Sequence, residues 1–127
     1  MYNSVCPVAF IQKAAIQALE GPQDFMKDIV KEYDERRRFI CGELRQMEGV
    51  QFTEPTGAFY IFPRIRGVVN SEEFCKELLI KAKVAAVPGS AFGKSGEGHI
   101  RISYATSMER LQAGLNSLAG FLRVKPL

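Results

Sequence analysis

The chain has 127 residues, of which 46% are hydrophobic, and this balance predicts one domain with its own hydrophobic core. Its formal net charge of +3 is too small to indicate a nucleic-acid partner. Charged residues interrupt every apolar run, and the amino terminus lacks the pattern of a signal peptide. We therefore expect no membrane association and a cytoplasmic location.

Periodic apolar residues predict two helices in the first part of the chain. The first runs from Pro7 to Leu19 and stops at Gly21-Pro22, and the second runs from about Asp24 to Glu48 and ends at Gly49. The second helix contains the run Arg36-Arg37-Arg38 beside several acidic residues, which is typical of a solvated helical face. A nucleic-acid patch is the alternative interpretation of this run.

Two strands are predicted next, Val50 to Thr53 and Ala58 to Phe62, on either side of a turn over residues 54–57. Because that turn looks tight, we expect the two strands to pair antiparallel. The aromatic and aliphatic residues of the second strand predict that most of it lies in the core. Alternation places Phe59 and Ile61 on one face and Tyr60 and Phe62 on the other, and one face would line a pocket next to Arg101 if the two strands were neighbours.

A third helix is predicted from Ser71, as its N-cap, to about Lys83, followed by a buried strand from Val84 to Val87. A glycine-rich segment, Pro88 to Gly98, resembles a phosphate-binding loop, but its glycine spacing is one residue short and it leads into a strand instead of a helix. We interpret it as a flexible surface loop. A last helix from Met108 to about Arg123 follows, capped by Ser107.

The predicted order is therefore helix, helix, strand, strand, helix, strand, strand, helix. This order indicates an α+β fold with a small, mainly antiparallel sheet covered by helices.

The cysteines and the single histidine offer little chemistry at their spacing. Cys6, Cys41 and Cys75 form no close pair, so no metal site is expected, and three buried thiols are the simplest interpretation. A catalytic pair of a cysteine with His99 is the alternative, although no third group is visible to orient the histidine. For His99, a structural or surface role stands beside an acid–base role.

The segment Gly98-His99-Ile100-Arg101-Ile102-Ser103-Tyr104-Ala105 predicts a strand that carries an arginine among apolar residues. Alternation places His99, Arg101 and Ser103 on one face and Ile100, Ile102 and Tyr104 on the other. An arginine there costs desolvation unless an anion meets it, and its planar donors suit a carboxylate. On the residues alone, that anion is either a ligand or an internal acid such as Glu97 or Glu109.

Three segments, in this order and spacing, resemble the small domain of class I/II aminotransferases, the fold-type I group that uses pyridoxal phosphate. They are residues 56–63 (TGAFYIFP), 87–93 (VPGSAFG) and 98–105 (GHIRISYA). Residues 7–19 also resemble the helix that follows the cofactor lysine of that family, so the likeness covers nearly the whole chain.

The resemblance implies a substrate site and a missing cofactor site. It implies that Arg101 binds the α-carboxylate of the amino-acid substrate and that Phe59 lies near that substrate. It also implies that Gly57, Gly89 and Gly93 are architectural. The cofactor lysine and the other family residues that hold pyridoxal phosphate find no match, so we expect no catalytic residue and no bound cofactor in this chain.

We accordingly expect the carboxyl-terminal part of an aminotransferase that moves an amino group between an amino acid and a 2-oxo acid. Residues 1–20 would form a helix leading out of a large domain, and residues 21–127 would form the small domain. The intact enzyme would use pyridoxal 5'-phosphate and form a homodimer, and the isolated chain would be inactive. The alternative is a free-standing module that binds amino acids or has a regulatory role.

Overall fold

The structure, a computed structural model, describes residues 7–124. These residues divide into two compact units, one that ends at Lys31 and one that begins at Glu32. Over the described residues the elements are α1 (Ala9–Glu20), α2 (Asp24–Arg45), β1 (Val50–Gln51), β2 (Tyr60–Ile61), β3 (Arg64–Ile65), α3 (Ser71–Ala82), β4 (Val87–Pro88), two 3₁₀ turns (Gly89–Phe92 and Lys94–Gly96), β5 (Ile100–Ser103) and α4 (Met108–Val124).

The first unit contains α1 and the start of α2. Helix α1 is confirmed, although it begins at Ala9 instead of Pro7, and it has no buried residue. Large apolar side chains on it face solvent, among them Phe10 at 70% and Leu19 at 81% exposure. Gly21 follows the helix and donates its backbone N–H to the carbonyl of Gln17, which satisfies one of the last helical carbonyls. The prediction of a helical segment over residues 1–20 includes residues 1–6, which lie outside the described residues.

The second unit contains two small antiparallel sheets in place of the one that was expected. Strand β1 pairs with β3, and β5 lies between β2 and β4. The prediction that β1 and β2 pair with each other is therefore wrong, and β3 was not predicted. The connection over residues 52–59 is too long for a tight hairpin, which leaves β2 free to pair with β5. Pro63 then separates β2 from β3.

Strand β5 shows the predicted alternation. Ile100 and Ile102 are buried, whereas Arg101 is half-buried and Ser103 is exposed. The buried side joins one hydrophobic cluster with residues of the three helices in this unit. Its fully buried members include Ile40, Cys41, Leu44, Ile61, Ile65, Leu78, Ile100, Tyr104 and Leu118. The α+β class with helices covering a small antiparallel sheet is thus confirmed.

The start of α3 differs in one residue from the prediction. Asn70 is the N-cap, because its side chain accepts the backbone N–H of Glu73 at 3.0 Å. Ser71, which was predicted to cap, is fully buried instead. Its hydroxyl accepts the backbone N–H of Ser90 at 3.1 Å, and its own N–H donates to Glu97 Oε1 at 2.6 Å. The residue therefore ties the helix to the glycine-rich segment.

That segment is folded into the two 3₁₀ turns, contrary to the expectation of a flexible surface loop. Gly89 and Gly96 are both buried and lie backbone to backbone. A Cβ on Gly89 would overlap the carbonyl oxygen of Gly96 and would lie 2.7 Å from that of His99. Glycine at position 89 is thus required by close approach of two backbones. The predicted strand over residues 84–87 is shorter than expected and begins at Val87.

Helix α4 begins as predicted. The backbone N–H of Arg110 donates to the hydroxyl of Ser107 at 3.4 Å, and the leucines of the helix at positions 111, 115, 118 and 122 are buried.

We expect Gly89→Ala to lower the free energy of unfolding by about 1–3 kcal/mol, because the new methyl group must push two backbone segments apart. Gly114→Ala is the matched control. Its Cβ meets no atom within 4 Å, and alanine in a helix is more favourable than glycine by about 0.5–1 kcal/mol. Urea denaturation of the three chains measures both changes. Equal stabilities for the two variants would contradict the close packing at residue 89.

Candidate functional site

Arg101 lies at the centre of the three-stranded sheet, on the side away from the core. It pairs with Val87 of β4 on one side, and β2 lies on the other side. Because its neighbours Ile100 and Ile102 are buried, its side chain leaves the sheet on the opposite face. The sequence predicted this placement correctly.

Two aromatic rings lie against the guanidinium of Arg101. Its Cζ atom is 4.3 Å from the ring centroid of Tyr60 and 4.7 Å from that of Phe92. Tyr60 lies on β2, which flanks β5 on one side, and Phe92 lies in the first 3₁₀ turn, which follows β4 on the other side. Both distances are within the range of cation–π contacts.

The internal acids that were considered as partners of Arg101 are engaged elsewhere. Glu97 accepts the backbone N–H groups of Ser71 and Gly98, and these hydrogen bonds hold its pKa below the usual value. The pKa of Glu109 is likewise lowered, by its own backbone N–H and by the hydroxyl of Ser107. Across residues 7–124, Arg101 forms no ion pair and its guanidinium donates no hydrogen bond to another side chain or to the backbone.

This arrangement leaves Arg101 able to bind an anion. The N–H groups of a guanidinium lie in its plane, whereas aromatic rings pack over its faces. Neither ring offers a carbonyl or carboxylate acceptor to the guanidinium. A planar carboxylate that approaches the edge of the guanidinium can accept two parallel hydrogen bonds.

Phe59 lies one ring farther from Arg101. Its ring centroid is 4.4 Å from that of Tyr60 and 6.0 Å from that of Tyr33, and the side chain is 38% exposed. Strand β2 begins only at Tyr60, so the predicted alternation does not extend to Phe59. Ala58 before it has a left-handed φ of 59°, and its carbonyl accepts the hydroxyl of Tyr104 at 3.1 Å, which sets the path of the chain here.

His99 lies two residues before Arg101 on the same face and is held by an aromatic partner. Its ring is stacked on Phe62 with centroids 5.0 Å apart and an interplanar angle of 7°, and its Nδ1 lies 3.2 Å from the carbonyl oxygen of Glu97. The two rings line a surface pocket of about 430 Å³ together with Gln51, Phe52, Thr53 and Arg64. No ion pair to His99 occurs in the described part of the chain, so no carboxylate is placed to make it a general base.

The residues that the sequence did not single out as site residues are Tyr60 and Phe92. The alternation of β2 placed Tyr60 on one of two possible faces, and the face next to Arg101 depended on the two strands being neighbours. That condition is met, because Tyr60 pairs with Ser103 and Ile61 with Ile102. Phe92 lies in a segment with no periodic pattern, so no local signal indicated where its ring would lie.

The arginine run of α2 forms ion pairs with acidic neighbours, but the predicted solvated face holds only for Arg38, because Arg36 and Arg37 are half-buried. Arg37 contacts Asp34 at 2.7 Å and Glu54 at 2.5 Å, and Arg38 contacts Asp34 at 2.6 Å. Arg36 pairs with Glu32 one turn earlier. These pairs offset most of the positive charge of the run, which does not favour a nucleic-acid patch.

Cys41 and Cys75 are buried free thiols, as predicted. Burial raises the pKa of Cys75 to about 11 and also raises that of Cys41, so both remain protonated at neutral pH and are poor nucleophiles. Cys6 lies outside the described residues. Within residues 7–124, no helix has the length and apolar character that a membrane crossing requires.

Comparisons with known proteins agree on one family. The family model described as "Aminotransferase class I and II" matches residues 1–118. An aspartate aminotransferase from Pyrococcus abyssi is 48% identical over the whole of this chain and 33% of its own length, and an aromatic-amino-acid aminotransferase from Thermococcus litoralis is 44% identical over the same shares. The chain thus spans about a third of the length of the curated relatives it matches.

Solved structures give the same result. The alanine aminotransferase of Pyrococcus furiosus superposes with a TM-score of 0.90 at 38% identity, over 94% of this chain and 31% of that one. The aromatic aminotransferase of Pyrococcus horikoshii superposes with a TM-score of 0.88 at 47% identity, over 97% of this chain and 34% of that one. Together with the sheet that presents Arg101, these matches show that the chain belongs to the class I and II aminotransferase family.

Proposed function

We propose that this chain is the substrate-binding part of an aminotransferase that transfers an amino group between an amino acid and a 2-oxo acid. Arg101 binds the α-carboxylate of the substrate, and Phe59 contributes to the surface around it. The observation that carries the proposal is a half-buried arginine on a central strand with no acidic partner among the described residues. Family membership supports the reaction class.

The contribution of Arg101 to the reaction is to bind and orient. Two parallel hydrogen bonds to a carboxylate fix the substrate in position and in rotation, because the guanidinium fork is planar. Fixing the α-carboxylate also fixes where the neighbouring Cα lies, which helps to bring its C–H bond towards the base that removes the proton. In the family, pyridoxal phosphate supplies the electron sink for that step.

The described lysines do not fit pyridoxal phosphate by themselves. The aldehyde of this cofactor requires a shielded lysine amine, but all seven described lysines are exposed, and Lys27 and Lys81 form ion pairs with Asp24 and Glu77. Lys125 lies outside the described residues. We therefore propose that the cofactor site belongs to the part of the relatives that this chain does not match, and that the chain alone is inactive.

The apolar surface of α1 supports the view that more protein completes the enzyme. Phe10, Ile16 and Leu19 are each more than half exposed on a helix with no buried residue. Apolar surface of this kind is usually covered by protein. We propose that the remaining two thirds of a typical relative, and a second subunit, complete the active enzyme.

We expect Arg101→Ala to cost about 2–5 kcal/mol of transition-state stabilisation, measured as a fall in kcat/KM, in an aminotransferase that carries this chain, because truncation leaves the substrate carboxylate without its charged partner. A suitable host is the Pyrococcus abyssi aspartate aminotransferase with its matched segment replaced by this chain, assayed with aspartate. Arg110→Ala is the matched control, since Arg110 is an exposed arginine on α4. A kcat/KM for Arg101→Ala equal to that of the control would contradict the assigned role.

Pyridoxal phosphate added to the 127-residue chain should give no visible absorbance band of a lysine-bound cofactor after gel filtration. The reason is that exposed lysines bind the aldehyde weakly and release it on dilution. A retained band that maps to one lysine by reduction with borohydride and peptide mass analysis would overturn the expectation.

A free-standing amino-acid-binding module is the second candidate function, and the open edge of Arg101 in this chain favours it. Calorimetric titration of the chain with aspartate, alanine and 2-oxoglutarate separates the two functions. We expect no saturable heat at millimolar ligand, because half a cleft covers little of the ligand surface. Saturable binding that is lost in Arg101→Ala would support the module instead.

A further inference from the structure

We propose that Tyr60 and Phe92, the ring pair, are positioning residues that hold the guanidinium of Arg101 in the orientation in which it binds a carboxylate. The inference rests on the proposed function of Arg101 and adds two residues to it. Its basis is the two contacts at 4.3 Å and 4.7 Å from the rings to Cζ.

The ring pair can restrict the side chain of Arg101 and still leave its N–H donors available to a ligand. An arginine side chain has many rotamers, so binding a ligand in one of them costs conformational entropy unless the protein restricts the side chain beforehand. An acidic neighbour would restrict it but would also occupy its N–H donors. Aromatic rings restrict it by contact and offer no carbonyl or carboxylate acceptor that would compete with the ligand for its N–H donors.

Each ring of the pair is itself held by a further aromatic ring. Phe92 contacts Phe62 edge to face, with centroids 5.7 Å apart and planes at 89°, and Phe62 is stacked on His99. On the other side of β5, Tyr60 packs against Phe59 at 4.4 Å. The guanidinium thus lies in the middle of a row of aromatic side chains that spans the sheet, and rotation of one ring meets the next. The contact with Phe62 thus supports the ring of Phe92 next to Arg101, although Phe92 is 51% exposed.

The size of the effect follows from the strength of a cation–π contact. At a partly exposed site one such contact changes an equilibrium by about 2–5-fold. Loss of one ring should therefore weaken carboxylate binding by about that factor. Loss of Arg101 itself should abolish binding at this site.

The test compares variants that remove a ring with variants that keep it. Phe92→Leu and Tyr60→Leu replace a ring by an apolar side chain, whereas Phe92→Tyr and Tyr60→Phe preserve the ring. Because Phe92 is half exposed and is not a core residue, Phe92→Leu leaves the hydrophobic core intact. This variant therefore tests the positioning role even if Tyr60→Leu fails to fold. Amide NMR spectra of the ¹⁵N-labelled 127-residue chain show which variants keep the fold.

Two NMR measurements report on Arg101. The heteronuclear NOE of its Nε–Hε group measures the order of the guanidinium in the free chain. The shift of the same signal on titration with sodium acetate, at concentrations far above the millimolar range of the calorimetric titration, measures weak carboxylate binding. Sodium chloride at equal ionic strength corrects for screening. We expect the leucine variants to lower the NOE and to weaken acetate binding about 2–5-fold, while Phe92→Tyr and Tyr60→Phe retain both values.

The outcomes separate this inference from the proposed function. An acetate response that is normal and equal in all ring variants would overturn the positioning role alone, as would an unchanged NOE in the leucine variants. If the Arg101 signal of the chain without substitutions does not respond to acetate, carboxylate binding by Arg101 is contradicted, and the positioning role is contradicted with it.

Discussion

The register of β5 between its two neighbours is the constraint on which the rest of the site depends. Ile61 lies opposite Ile102, and Val87 lies opposite Arg101. Since side chains alternate across a sheet, burying Ile100 and Ile102 forces Arg101 to the other face. A shift by one residue would place the arginine in the core and two isoleucines in water.

The segments around β5 maintain that register by close packing and backbone hydrogen bonds. A side chain at position 89 would overlap the backbone of Gly96. The backbone N–H of Gly89 donates to the carbonyl of His99 at 2.8 Å. On the other side, the backbone N–H of Tyr104 donates to the carbonyl of Phe59 at 3.0 Å, and its hydroxyl reaches Ala58. Both ends of the strand are thus tied to the neighbours that carry Phe92 and Tyr60.

Charge is distributed so that Arg101 remains available. The arginines of the run in α2 form ion pairs with Glu32, Asp34 and Glu54, and Glu97 accepts the backbone N–H groups of Ser71 and Gly98. Each of these acids is thus engaged by another partner. An arginine with aromatic contacts and no acidic partner among the described residues is the feature on which the proposed carboxylate binding rests.

The sequence by itself determined the helices, the face of β5 that carries Arg101, the α+β class and the family. These follow from local periodicity and from short motifs, which depend on residues close together in the chain. The pairing of β1 with β3, the cap at Asn70 in place of Ser71, and the ring pair were decided only by the tertiary structure. The physical reason is that strand partners and ring contacts join residues from separate segments, so their free energies depend on how the whole unit packs and leave no signal in any one stretch of sequence.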